Sequence, residues 1–227
     1  MRTLLAFLCT MLLAAAAHAL SLDQLSNKDS VGGLKEALTQ GAGKAVDMLG
    51  KNDGFLGNPK VKIPLPGALE DAAGLMRKFG MGKQVDELET AMNRAAEAAV
   101  PEAKKLLVES IKQMSVDDAK GILTGGDNAA TEYFRRTTSA PLGEKFKPII
   151  QKAIAKVQLA EKYDQFAGKA AKFGLVKEDA AHLDGYVTGK ALDGLYLMIA
   201  EEEKAIRANP VSAAGDLAKK VFGALGR

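Results

Sequence analysis

The chain has 227 residues, 47% hydrophobic and 26% charged, with a net charge of +3, one cysteine, two histidines and no tryptophan. This composition is too apolar for a disordered chain and, beyond its N-terminal segment, too charged for a multi-span membrane protein. Basic and acidic residues are interspersed, and Lys/Arg runs go no further than pairs such as Lys104-Lys105, Arg135-Arg136 and Lys219-Lys220, so nucleic acid is not an expected partner.

The first nineteen positions read as a secretory signal peptide: Arg2 is the positive n-region, Leu4 to Ala17 the apolar run, and Ala17-His18-Ala19 the small-x-small cleavage site. Cleavage after Ala19 leaves a mature chain, 20–227, read as one helical domain. It keeps His182 as its sole histidine and loses Cys9, its only cysteine. No disulfide framework is then expected despite export, and roughly 200 residues must be held by core packing, which that length allows. Zinc sites built on His or thiolate and Cys-His catalysis fall away, and a Ser-His-Asp triad would rest on His182 alone. Neither a metal nor a cofactor is expected, and no transmembrane span is expected in the mature chain.

Nearly everything downstream has helical period. Leu34, Leu38, Ala45, Val46 and Leu49 mark a first helix, weakened by Gly41 and Gly43 and stopped at Gly50. Asn52 to Pro66 is a loop in which Val61, Ile63 and Leu65 alternate with Lys60, Lys62 and Pro64. That pattern predicts a short extended segment with one buried face, lying at an edge or over helices. No second strand-like run exists to pair with it. A helix from about Pro66 to Phe79 ends at Gly80, and a long one from Lys83 to Met114 is expected to kink or restart at Pro101. Ser115 is a good N-cap for Val116 to Leu123. Asp127 or Asn128 should cap Ala129 to Thr138, with Ser139-Ala140-Pro141 opening a separate helix that Pro148 restarts and that runs on to Phe173-Gly174. Leu183 to Ala208 and Val211 to Leu225 complete the chain. The fold class is therefore all-α, a single-domain multi-helix bundle with one short extended Pro-containing segment. Segments 78–123 and 172–218 echo each other weakly, which shared helical pattern explains better than duplication.

Candidate binding residues come from three helices. Asn93, Arg94 and Glu97 are three to four apart, either a polar constellation facing a pocket or an ion pair beside a buried Asn bonded to a neighbouring helix. Thr131 and Arg135 are four apart, a grip for an anionic group or a structural salt bridge to the Glu-rich helix. Glu202 follows the stripe Val187, Ala191, Leu195, Ile199 and is read as facing inward. It is either a general acid with a raised pKa or a paired structural carboxylate. Glu203 and Arg207 form an i,i+4 pair, worth a few tenths of a kcal/mol when exposed. His182, just before that helix, has a surface or cap role. Phosphate loops, G-x-S-x-G and EF-hand spacing do not occur, and the low aromatic content argues against a glycan-stacking groove.

The strings KVKIPLP from Lys60, LETAMNRAAEAA from Leu88, GDNAATEYFRRTT from Gly126 and YVTGKALDGLYLMIAEEEKAIRANP from Tyr186 resemble, in that order, the bacterial family catalogued as domain of unknown function 4197. The resemblance runs from about Leu22 to Gly223. It implies an exported, helical, envelope-associated protein of Gram-negative bacteria, without an assigned activity. Some members look like lipoproteins, whereas this chain has no usable lipidation cysteine, which favours a soluble periplasmic form. The family's recurrent polar positions are here Asn93, Arg94, Glu97, Thr131, Arg135, Asp193, Glu202 and Glu203, and the resemblance gives them no roles. The expected function is non-catalytic binding of an apolar or anionic ligand or of an envelope partner. The alternatives are a carboxylate-based hydrolase or lyase using Glu97 or Glu202, and a structural member of an envelope assembly.

Overall fold

A computed structural model describes residues 27–157, 160–161, 163–164, 182–209 and 215–224. The segment read as a signal peptide, the stretch from Gln165 to Ala181 that carries the far end of the predicted Ser139–Phe173 helix, and residues 172–181 and 210–214 of the second echo segment lie outside them. No strand occurs among the described residues, and eight α-helices have their bounds within them: α1 Asn27–Leu49, α2 Gly67–Lys78, α3 Gly82–Ala99, α4 Ala103–Gln113, α5 Val116–Thr124, α6 Ala129–Ile154, α7 Leu183–Ala208 and α8 Asp216–Ala224. The chain forms one all-α bundle. At its centre α6 lies along α7, with α3 packed on both. Helix α1 closes one side against α4, α5, α7 and α8, and α2 leans on α3.

The predicted stripes are the core. Val187, Ala191, Leu195 and Ile199 of α7 are buried, as are Leu88, Met92, Ala95, Ala96 and Ala99 of α3. The small Ala side chains allow α6 and α7 to approach α3 closely, while each fully buried Leu or Phe opposite contributes about 1.5–3 kcal/mol. Pro101 acts as expected: α3 tightens into a 3-10 turn, Val100–Glu102, before α4 resumes. Ser115 caps α5 in a full capping box, its hydroxyl accepting from the Asp118 amide at 3.0 Å while the Asp118 carboxylate accepts from the Ser115 amide at 3.2 Å. The Ser115 hydroxyl and amide hold the Asp118 carboxyl below the ordinary carboxylate range.

Two local expectations are corrected. Helix α6 does not break at Ser139–Pro141 or restart at Pro148; it runs unbroken through both prolines. Phe134, Thr138, Leu142, Phe146 and Ile150, each four residues on, form one buried stripe, and its burial outweighs the two backbone hydrogen bonds that proline cannot donate. Pro148 is exposed, so its lost bond is offset by water. Nor does Asn128 cap α6 with its side chain; that role belongs to a residue on another helix.

The loop from Gly50 to Pro66 is a run of turns as far as Val61 and extended chain only from Lys62 to Pro66, with Val61, Ile63 and Leu65 buried and Lys60, Lys62 and Pro64 exposed. The predicted alternation is correct. Phe55, fully buried, reaches α7 where Gly194 leaves room: a Cβ there would stand 2.7 Å from the ring's Cε1.

Candidate functional site

The three α3 candidates converge, and what they converge on is the loop. The Asn93 carboxamide is fully buried. Its Oδ1 accepts from the Ile63 amide at 2.8 Å, and its Nδ2 donates to the Ile63 carbonyl at 2.9 Å and to the Glu89 carbonyl at 2.8 Å. The partner is thus the extended segment and not a neighbouring helix. One turn on, Glu97 Oε1 accepts from the Phe55 and Leu56 amides at 3.0 and 3.1 Å, and Oε2 takes Arg94 at 2.6 Å. Arg94 also reaches Asp53 at 2.8 Å, and Asp53 sits in the left-handed region with φ 63°. Hydrogen bonds from Glu97 and then Asp53 hold the Arg94 guanidinium above its ordinary pKa. Both Glu97 oxygens are thereby engaged.

The other three candidates separate. Thr131 is buried, Arg135 is exposed, and Glu202 faces α1, where it pairs with Lys44 at 2.8 Å. Arg135 stacks on Tyr196 at 4.7 Å and pairs with Asp193 of α7 at 3.6 Å. The inward carboxylate is Glu203, one position beyond the residue expected from the pattern. It continues the i+4 series Val187, Ala191, Leu195, Ile199, which is the signal that identifies it. Its Oε1 accepts from the Ala130 amide at 3.0 Å, and its Oε2 from the Thr131 amide and hydroxyl, both at 2.9 Å. Glu203 therefore caps the N-terminus of α6 from across the bundle, where the dipole favours an anion. Arg207 closes the junction: its Nη2 donates to Glu203 at 2.8 Å and to the Ile122 carbonyl near the end of α5 at 2.9 Å. The expected Glu203–Arg207 pair forms, and it is buried, its side chains 4% and 10% exposed.

This capping in trans recurs. Lys35 of α1 donates to the Lys112 and Met114 carbonyls at the end of α4, both at 3.1 Å. Asp164 Oδ1 accepts from the Leu183 amide at the start of α7, at 2.9 Å. Among the described residues no buried side-chain nitrogen or oxygen is left without a partner.

None of the six candidates lines the cleft beside the C-terminal half of α6. This space of about 630 Å³ lies between the C-terminal half of α6 and the start of α7, lined by Lys147, Gln151, Glu161, Asp164, His182 and Asp184 together with Ile154, Ala155 and Ala160. Burial pushes the Asp164 carboxyl above its ordinary pKa and nearby Asp184 adds to this, against the pull of the Leu183 amide and His182. Lys147 stands 3.9 Å from Asp184. The residues of this cleft come from three stretches of chain. In the sequence, the only signal for it is a histidine and an aspartate flanking the start of a helix, too slight to single the cleft out. No described helix is long and apolar enough to cross a membrane, and no metal-ligand set of three His, Cys, Asp or Glu occurs among the described residues.

No curated protein and no solved structure matches this chain. A family model described as a protein of unknown function, DUF4197, matches residues 24–223, nearly the whole chain, and the chain therefore belongs to that family.

Proposed function

We propose that this chain is an exported periplasmic protein that binds a small ligand without transforming it, and that the ligand occupies the cleft between α6 and α7. The cleft itself carries the reading: its volume, about 630 Å³, falls within the range of small-molecule sites, and its six polar or charged lining side chains, set beside Ile154, Ala155 and Ala160, can hold and orient a ligand. The described rim has three carboxylates, Glu161, Asp164 and Asp184, against Lys147 and His182. A small amine with an apolar body therefore suits it better than an anion. The candidates that would have gripped an anion, Arg94 and Arg135, are already matched to Asp53, Glu97 and Asp193. The carboxylates considered for hydrolysis, Glu97 and Glu202, are held by backbone amides and Arg94 in one case and by Lys44 in the other. These engagements favour binding over catalysis.

The test is an amide-resonance titration of the mature protein with putrescine and, separately, with citrate. Putrescine should shift the Leu183 and Gly185 amides, and Asp184→Asn should weaken the response about tenfold, the scale of one lost charge-assisted contact. Unmoved amides with putrescine, or a stronger response to citrate, would overturn the assignment. Release of the protein by osmotic shock checks the compartment.

A further inference from the structure

We propose, independently of the cleft, that the turn joining α2 to α3 is a docking tip for an anionic phospholipid surface. Helix α2 has two apolar faces. Leu69 and Ala73 are buried against the bundle and Met76 is half-buried, which accounts for its packing. Leu75 and Phe79, four apart on a different face, are 59% and 81% exposed and are the two most exposed large apolar side chains described. The turn between the helices is well defined: Gly80, at φ 80°, lets its amide reach the Arg77 carbonyl at 3.2 Å and the Met81 amide reach the Met76 carbonyl at 2.9 Å. This is the Schellman closure, in which a glycine in the left-handed region ends a helix sharply. Phe79 therefore stands at a rigid apex and not on a loose loop.

Charge selects the occupant. From Ala73 to Gln84 the chain carries Arg77, Lys78 and Lys83 and no acidic residue. Arg77 is paired with Asp86, while Lys78 and Lys83 are exposed on either side of Phe79. An apolar pair at this turn, with Lys78 and Lys83 nearer the apex than the exposed Asp86 and Glu87 a turn into α3, matches the interface of an anionic bilayer: the Phe79 ring and Leu75 methyls enter the acyl boundary and the ammonium groups stay at the phosphates. With only two large apolar side chains, attachment is expected to be weak, reversible and salt-sensitive. An uncharged protein groove would gain nothing from the basic flanks.

Because the chain has no tryptophan, Phe79→Trp places a single reporter at the apex. With vesicles of equimolar phosphatidylcholine and phosphatidylglycerol its emission should move to the blue and be quenched by brominated acyl chains. With phosphatidylcholine alone it should do neither at physiological salt. Lys78→Gln with Lys83→Gln should weaken partitioning roughly thirtyfold, from the electrostatic worth of each cation near such a surface. Flotation of the unaltered protein with the same vesicles should give the same order of affinities. Emission unchanged by anionic vesicles would overturn the proposal. So would equal binding by the double lysine variant, or a concentration-dependent shift without lipid that marks the face as a contact between two copies.

Discussion

Replacing Glu203 by Ala tests the claim that one side chain ties three helices together. In the intact protein its carboxylate accepts from two backbone amides and a hydroxyl at the start of α6 and from two nitrogens of Arg207. Truncation leaves the Ala130 and Thr131 amides buried without an acceptor, each costing about 1–3 kcal/mol. It also leaves the Arg207 guanidinium, 10% exposed, without its counter-charge, and breaking a buried pair in this way typically costs about 3–5 kcal/mol. The site offers some relief. A gap of about 10 Å³ already borders Glu203 and Arg207, so the space vacated by the carboxylate admits a water to bridge the amides. The expected loss is then about 3 kcal/mol, toward the lower end of that range. The assay is urea unfolding followed by far-UV ellipticity, with linear extrapolation to water. Adding Arg207→Met should recover part of the loss, because it removes the stranded cation. Glu202→Ala, one residue away, should lose no more than about 1 kcal/mol, since its partner Lys44 is 62% exposed. A loss below about 1 kcal/mol for Glu203→Ala, or equal losses at the two positions, would refute the reasoning.

Three further outcomes follow from the same geometry. Asn93→Leu should cost about 2–4 kcal/mol, because the buried Ile63 amide and carbonyl lose their partner, and hydrogen exchange at Ile63 should accelerate more than at Leu195. Gly194→Ala should cost about 1–3 kcal/mol by driving a methyl into the Phe55 ring, read as a lower midpoint in thermal melting. Asp164→Asn carries a pH signature. The folded carboxyl titrates above its unfolded value because of burial, so its stabilising effect is fully present below the unfolded pKa and is lost as pH rises through the folded one. The Asn variant should therefore melt higher than the parent at neutral pH and lose that advantage on acidification; an advantage that grows in acid would contradict the assigned cause.

What the sequence made legible was what local chemistry determines. Ser115 and Asp118 sit three apart, so their capping box is written in four consecutive residues. The alternation of Val61, Ile63 and Leu65 needs no knowledge of what covers them. Where the partner is far along the chain, local rules misled. Asn128 looks like the cap of α6, but the anion that performs the task is more than seventy positions away on α7. Pro141 and Pro148 look like helix boundaries because the propensity rule sees a missing donor and not the buried stripe that α6 presents to α3 and α7. The inward glutamate was misplaced by one residue, although the i+4 series ending at Ile199 points to Glu203. The cleft was invisible for the same reason: Lys147, Asp164 and Asp184 become neighbours only through packing.

The carboxamide of Asn93 supplies Ile63 with the donor and acceptor that an adjacent strand would otherwise provide, and the Glu97 carboxylate supplies an acceptor to the Phe55 and Leu56 amides nearer the start of the loop. Two side chains on successive turns of α3 thus anchor the loop backbone at Phe55–Leu56 and at Ile63. The stretch from Gly50 to Pro66 has the composition of a solvent-exposed linker, but its own turns and the two α3 side chains satisfy much of its backbone. Its opening is therefore linked to the melting of α3, so that it belongs to the cooperative unit and not to the fluctuating periphery.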